Sequence, residues 1–145
     1  MKQVRDIMTS NIEVLGPTAT IQQAATAMRQ ADTGSIPIVD NGQLVGIVTD
    51  RDLAIRGLSE GLGPDSEIGP LMSADPLCCY EQDDAEQVAN RMAVAQVRRL
   101  PVLGEGDLLV GMVSLGDLSR EGKQKAASEA LQGVSAESNE KLQPA

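Results

Sequence analysis

Histidine, tryptophan and phenylalanine are absent from this sequence of 145 residues, and Tyr80 is its only aromatic residue. Without histidine, the chain has no His-based catalytic triad, general base or metal ligand. With a single aromatic ring, it has no stacking platform for the bases of single-stranded nucleic acid. The core must therefore be built from aliphatic side chains and methionine.

Basic charge and long apolar segments are also scarce. The chain carries 12 Lys and Arg against 21 Asp and Glu, a net charge of -9, so its field repels polyanions and we expect no nucleic-acid partner. No apolar run approaches the roughly 18 residues of a membrane span, and no signal peptide opens the chain. The cysteines, Cys78 and Cys79, are adjacent, which predicts no disulfide framework. We expect a cytoplasmic protein without membrane contact.

Two copies of one sequence pattern follow each other along the chain. Three blocks match in the same order: residues 4–9 with 68–73, residues 20–28 with 84–92, and residues 35–53 with 99–118. The second copy has one extra residue in the turn of its third block. Because three ordered blocks are stronger evidence than any single motif, we interpret the chain as a tandem repeat.

Each copy is predicted to form a β-α-β-β-α unit. In the first copy a short strand over residues 12–15 precedes a helix, which begins at the capping-box residue Thr20. Two β-rich runs around Asn41-Gly42 then predict a hairpin. A second helix follows each hairpin, over about residues 50–62 and 115–131.

The predicted fold class is α/β (α+β), with two such units packed as a pseudo-two-fold intramolecular pair. Neither unit alone has enough core to be stable, so we expect their amphipathic faces to be buried together. The predicted domains are residues 4–62 and residues 68–121. For residues 122–145 we expect a C-terminal helix extension and a disordered tail.

The third block of each copy ends in the pattern Gly-apolar-apolar-Thr/Ser-x-x-Asp, where a strand becomes a helix. The pattern places Thr49 and Asp52 in the first copy, and Ser114 and Asp117 in the second. In one interpretation these pairs only cap helices. In the other, free N–H groups and the hydroxyl hold a phosphate, while the carboxylate accepts the hydroxyls of a ribose. The residues alone leave both interpretations open.

Arginine is distributed unequally between the copies. Arg98 and Arg99 precede the second hairpin and are either phosphate ligands or a solvated basic pair. The first copy has Gly34 and Ser35 there, so two such sites would not be equivalent. Met112 is interpreted as a core residue that could also line an adenine pocket.

Other candidate chemistry is weak. Gly46 and Gly111 open the two patterns and are expected to let a ligand approach the backbone closely. The acidic residues at 81–86 lack remote partners, so we predict no metal site. The chain has no P-loop and no activated nucleophile, so we predict no enzyme.

These residues together carry a family resemblance. The doubled unit, with "SIPIVDNGQLVGIVTDRDL" at 35–53 and "VRRLPVLGEGDLLVGMVSLGDL" at 97–118, resembles a tandem pair of CBS (cystathionine β-synthase) domains, known as the Bateman module. It is similar to the small stand-alone bacterial CBS-pair proteins, including the hypoxic response type.

The resemblance implies a regulatory module that senses adenine nucleotides or related adenosyl ligands in two clefts between the CBS motifs. The implied ligands are AMP, ADP, ATP or S-adenosylmethionine, with no required cofactor. A homodimer and a regulated partner protein are also implied. The alternative is a ligand-free dimeric interaction or scaffold module that acts on a partner protein.

The resemblance also assigns roles to residues. Asp52 and Asp117 would bind ribose hydroxyls, and Thr49 and Ser114 would meet phosphate or ribose. The remaining implied ligand-binding residues are the phosphate ligands Arg98 and Arg99 and the adenine-contacting residues Ile36, Pro37, Leu100 and Pro101, with the strands near Val14 and Leu77.

Overall fold

The computed structural model describes residues 2–120, which divide into two compact units. We call residues 13–76 the first unit, and residues 2–12 with 77–120 the second unit. Each unit contains one three-stranded sheet with helices packed on it. The mixed helix and sheet class predicted from the sequence is confirmed, whereas the predicted extension and tail at 122–145 lie outside the described residues.

The first unit follows the predicted order of elements. It contains α1 (Ile21–Ala31), β1 (Ser35–Asp40), β2 (Gln43–Thr49), a π-helix (Asp52–Gly57), β3 (Ser73–Ala74), and two 3₁₀ turns at Leu58–Glu60 and Gly69–Leu71. Its sheet has the order β1-β2-β3, with antiparallel pairing throughout. The strand expected at 12–15 is reduced to one parallel bridge between Leu15 and Ile38.

Local sequence signals set the ends of these elements. The Thr20 hydroxyl accepts the Gln23 N–H at 3.1 Å, and the Gln23 side chain accepts the Thr20 N–H at 2.9 Å, so the predicted capping box is formed. In the hairpin, Asn41 and Gly42 both have positive φ, at 55° and 81°, as a tight type I′ turn requires. The apolar face of α1, including Met28, packs on β1 and β2 in one buried cluster.

The second unit has the matching elements. It contains a 3₁₀ turn (Val4–Asp6), β4 (Cys79–Tyr80), α2 (Ala85–Ala95), β5 (Arg99–Leu103), a 3₁₀ turn (Glu105–Asp107), β6 (Leu109–Ser114) and α3 (Leu115–Arg120). Its sheet has the order β4-β5-β6, with β4 parallel to β5 and β5 antiparallel to β6. The part of the predicted second helix after residue 120 lies outside the described residues.

The opening block of each repeat packs in the unit formed by the rest of the other repeat. Val4 is fully buried in the second unit, and its N–H donates to the Asp83 carbonyl at 2.9 Å. Thr9 and Met112 exchange backbone hydrogen bonds at 2.8 and 2.9 Å. Conversely, the block at 68–73 contributes Ile68 to the buried core of the first unit. The spatial units therefore differ from the repeats read along the sequence.

Two glycines make this exchange sterically possible. A Cβ at Gly111 would lie 2.6 Å from the Thr9 carbonyl oxygen, and one at Gly46 would lie 2.9 Å from the Ser73 carbonyl oxygen. Real Cβ atoms essentially never approach other atoms so closely. The close approach expected of a ligand at these glycines is therefore made by the chain's own backbone.

Candidate functional site

The first unit forms the predicted turn between β2 and the helix that follows it. The Thr49 N–H donates to Asp52 Oδ2 at 2.9 Å, and the Asp52 N–H donates to Thr49 Oγ1 at 3.1 Å. This reciprocal pair is a capping box with an aspartate at its third position. Both bonds are partly buried, so the carboxylate is held in one position by the backbone.

The second unit repeats this geometry between β6 and α3. The Ser114 N–H donates to Asp117 Oδ2 at 3.1 Å, and the Asp117 N–H donates to Ser114 Oγ at 3.0 Å. The predicted caps are thus formed in both units, and a ligand-binding role beside capping stays a prediction. The structure gives each unit a hydroxyl and a fixed carboxylate side by side at the carboxyl end of a strand.

Backbone N–H groups in the first-unit turn already have acceptors. Besides the capping pair, the Asp50 N–H donates to the Gly34 carbonyl at 2.9 Å, and the Arg51 N–H donates to the Asp50 carboxylate at 2.8 Å. The expectation of free N–H groups for a phosphate is therefore wrong for residues 49–52. Any phosphate held at this turn needs a side-chain cation.

Arg56 is a residue of this turn that the sequence analysis missed. Its Nη1 lies 3.7 Å from Asp52 Oδ1, one helical turn further along. The Asp52 side chain is only 14% exposed, whereas that of Arg56 is 49% exposed. The signal was present in the sequence, since an acidic residue four positions before an arginine on a helix favours an ion pair.

The predicted arginine pair lies beside the second-unit turn. Arg99 is exposed at the start of β5 and is the register partner of Ser114. Arg98 is partly buried, and its carbonyl accepts the Leu115 N–H at 3.1 Å. In the first unit the partner of Thr49 is Ser35. The structure therefore brings Arg98 and Arg99 to the Ser114–Asp117 turn, with no arginine at the matching strand position of the first unit.

The predicted adenine-contacting residues occupy both faces of the strands. Ile36 and Leu100 are each 1% exposed and belong to the cores of their own units. Their side chains therefore present almost no surface to a ligand in this structure. Three predicted residues, Pro37, Pro101 and Met112, are also buried, whereas Val14 is 40% exposed. Contact of these residues with adenine stays a prediction.

A groove of about 680 Å³ runs beside α1 and is separate from these residues. Its lining includes Glu13, Thr18, Gln22, Gln23 and Gln30. None of the predicted ligand-binding residues lines it. The groove therefore adds no support to the site proposed from the sequence.

The two thiols are poor nucleophiles. Burial raises the pKa of Cys79 to about 12, and burial also raises the pKa of Cys78. The Cys79 side chain is fully buried and its Sγ lies 3.8 Å from the Pro101 carbonyl oxygen. A thiol that stays protonated at neutral pH is an inert core residue rather than a reactive one.

Sequence relatives of similar length match most of the chain. The CBS domain-containing protein YhcV of Bacillus subtilis is 36% identical over 136 residues, which cover 93% of this chain and 96% of the relative. Hypoxic response protein 1 of Mycobacterium tuberculosis is 36% identical over 122 residues, covering 83% of this chain and 85% of the relative. The predicted similarity to the hypoxic response type is confirmed.

Solved structures share the fold. The CBS domain pair of MJ0100, in complex with 5-methylthioadenosine and S-adenosyl-L-methionine, matches with a TM-score of 0.73 and 27% identity, over 86% of this chain and 98% of its own. CBSX2 in complex with AMP matches with a TM-score of 0.75 and 25% identity, over the same shares of the two chains.

A third structure is that of Hypoxic Response Protein I with two coordinated zinc ions. It matches with a TM-score of 0.74 and 37% identity, over 82% of this chain and 98% of its own. In residues 2–120 of the present chain, no group of three or more His, Cys, Asp or Glu side chains is placed to hold a metal ion. The same residues include no helix with the length and apolar composition needed to cross a membrane.

The family model agrees with the repeat, the fold and the relatives. The model described as the CBS domain matches the sequence twice, at residues 4–57 and 66–123. These matches cover most of the chain and follow the two copies read from the sequence. The chain belongs to the CBS domain family and carries a tandem pair of CBS domains.

Proposed function

We propose that the chain is a non-enzymatic regulatory module that binds an adenosine-containing ligand at the Thr49–Asp52 and Ser114–Asp117 turns. The ligand class is AMP, ADP, ATP or S-adenosylmethionine. Asp52 and Asp117 accept ribose hydroxyls, while Arg98 and Arg99 hold phosphate at the second-unit turn.

The observation that carries this proposal is the fixed carboxylate repeated in both units. In each aspartate, Oδ2 accepts a hydrogen bond from a backbone N–H within the capping box. An acceptor held in one rotamer loses little entropy when it accepts a ligand hydroxyl, so binding there costs less than at a mobile side chain. The MJ0100 and CBSX2 complexes, which hold adenosine-containing ligands, support the ligand class.

Regulation requires that the ligand bind one of two arrangements of the protein more tightly than the other. A ligand shifts such an equilibrium only by its difference in affinity for the two arrangements. We propose that the arrangements are those of a cytoplasmic homodimer, and that a partner protein recognises one of them. Sedimentation with and without the ligand tests the dimer directly.

Isothermal titration with AMP, ATP and S-adenosylmethionine tests the site. Asp52→Asn and Asp117→Asn keep an oxygen acceptor for the cap but remove the charge and one ribose acceptor. We expect each variant to weaken binding at its own turn by about tenfold or more, and the double variant to abolish it. Asp84→Asn, at the N-cap of α2, is the matched control and should bind normally. Undiminished affinity in the double variant would refute the site.

The second candidate is a ligand-free scaffold, and the same capping boxes favour it. Within each turn, the side chains of the hydroxyl residue and the aspartate already accept each other's backbone N–H groups. The folded chain therefore gives each of these residues a structural role without a ligand. This candidate requires that none of the three ligands binds the wild-type protein. Pull-down of a partner that is insensitive to all three ligands would then support it.

A further inference from the structure

We propose that Arg56 makes the first-unit turn selective for phosphate-bearing adenosine ligands over uncharged ones. This inference rests on the proposed function and names a selectivity determinant within it. It assigns a role to a side chain outside the Thr/Ser-x-x-Asp pattern.

Both oxygens of Asp52 are engaged in the structure. Oδ2 accepts the Thr49 N–H at 2.9 Å, and Oδ1 lies 3.7 Å from Arg56 Nη1. A ribose that approaches this carboxylate must share or displace the guanidinium at Oδ1, since Oδ2 is held by the cap. The half-exposed Arg56 side chain is free to move into solvent, whereas the mostly buried carboxylate is not.

The π-helix sets the position of Arg56 relative to Asp52. Hydrogen bonds of a π-helix join residues five apart, so residues four apart lie almost one above the other. This geometry sets Arg56 over Asp52. The register is held by Gly57, where a Cβ would lie 3.2 Å from both Ile21 Cδ1 and Leu71 Cδ1.

Charge decides which ligands compensate for the displaced arginine. The backbone N–H groups of residues 49–52 already have acceptors, so they offer nothing to an anion. An uncharged nucleoside breaks the Arg56–Asp52 pair and offers the guanidinium no new anionic acceptor. A phosphate gives the guanidinium a bidentate acceptor, which is stronger than the pair it replaces.

The second copy of the sequence supplies an internal comparison. The residue four positions after Asp117 is Glu121, so this copy has no arginine at the position that matches Arg56. Binding is measured in the Asp117→Asn background, where weaker binding at the second-unit turn lets the first-unit turn dominate. Titrations with AMP and with adenosine give a ratio of two dissociation constants for each variant.

In this background we expect Arg56→Gln to weaken AMP about tenfold, the loss of one charge-assisted contact. We expect it to strengthen the binding of adenosine about twofold, because an exposed ion pair no longer competes for Asp52. Arg56→Lys should restore part of the preference for AMP. Arg29→Gln removes the same charge from the end of α1, in the same unit, and should leave the ratio unchanged. Circular dichroism melts verify that each variant is folded.

Four outcomes are distinguishable. Failure of the wild-type protein to bind any of AMP, ATP, S-adenosylmethionine and adenosine overturns the proposed function, and this inference with it. Binding of S-adenosylmethionine without binding of AMP or ATP overturns this inference alone. Binding with the same AMP-to-adenosine ratio in Arg56→Gln and its background protein overturns the role of Arg56 alone. An equal rise of the AMP-to-adenosine ratio of dissociation constants in Arg29→Gln shows that total charge, rather than Arg56, sets the preference, and also overturns the inference.

Discussion

Replacing Asp52 by alanine and by asparagine separates helix capping from every other role of this side chain. Alanine removes the acceptor of the Thr49 N–H, which is partly buried at a hydrogen-bond distance of 2.9 Å. It also removes the pair with Arg56, whose 3.7 Å separation and half-exposed guanidinium make it weak. Asparagine keeps an oxygen in the capping position and loses the charge.

Loss of the cap sets the size of the effect. Removing a capping side chain costs about 0.5–2 kcal/mol, and the exposed ion pair adds at most ~0.5 kcal/mol. We therefore expect Asp52→Ala to lower the free energy of unfolding by about 1–2 kcal/mol. We expect Asp52→Asn to lower it by less, about 0.5–1 kcal/mol, since asparagine keeps an oxygen that accepts the Thr49 N–H and loses only the charge near the helix N-terminus.

Urea unfolding followed by far-ultraviolet circular dichroism measures both values, because the chain has no tryptophan. Asp50→Ala is the control, as the exposed Asp50 side chain accepts only the N–H of the next residue. We expect Asp50→Ala to lower the free energy of unfolding less than Asp52→Ala does. Equal losses in Asp52→Ala and Asp52→Asn would refute the capping argument, because charge rather than the retained acceptor would then govern stability.

Three further predictions concern the second unit and its exchanged segment. Gly111→Ala should lower the free energy of unfolding, measured in urea, by about 1–3 kcal/mol, because its Cβ would lie 2.6 Å from a backbone oxygen. Gly63→Ala, with open space around it, should change this free energy little. Cys79, with its pKa raised to about 12, should stay protonated at pH 8 and react with a thiol reagent only after unfolding; rapid reaction in the native state would contradict this. Val4→Ala should lower the free energy of unfolding by about 1–3 kcal/mol and speed hydrogen exchange at the Met112 amide. Unchanged exchange would show that the opening segment does not support β6.

The features that could be predicted from the sequence are those encoded by neighbouring residues. The repeat is visible by direct comparison, the hairpin is marked by Asn41-Gly42, and each capping box needs only a hydroxyl and an acceptor three residues apart. The Thr/Ser-x-x-Asp pattern was found for the same reason. The turn and the caps depend on backbone geometry over fewer than about five residues, so a single sequence is enough to predict them.

The features that could not be predicted depend on contacts between distant residues. Residues 2–12 carry no local signal that Val4 is buried beside α2 and β6 rather than within residues 13–76. The π-helix is equally hidden, because Gly57 takes its position from packing against Ile21 and Leu71. Burial of Ile36 and Leu100 also follows from sheet packing, which periodicity in a short strand does not specify.

The capping role of the two aspartates is compatible with the ligand-binding role that we propose for them, for a reason visible in the first unit. In the first unit the cap uses Oδ2 of Asp52, whereas Arg56 faces Oδ1. A hydroxyl that replaces the guanidinium at Oδ1 leaves the cap intact, so the helix need not unwind for a ligand to bind. The cap then holds the acceptor in its binding orientation before the ligand arrives, which lowers the entropy cost of association. Under the proposed function, an aspartate of this kind stabilises the fold when the site is empty and contributes to affinity when it is filled.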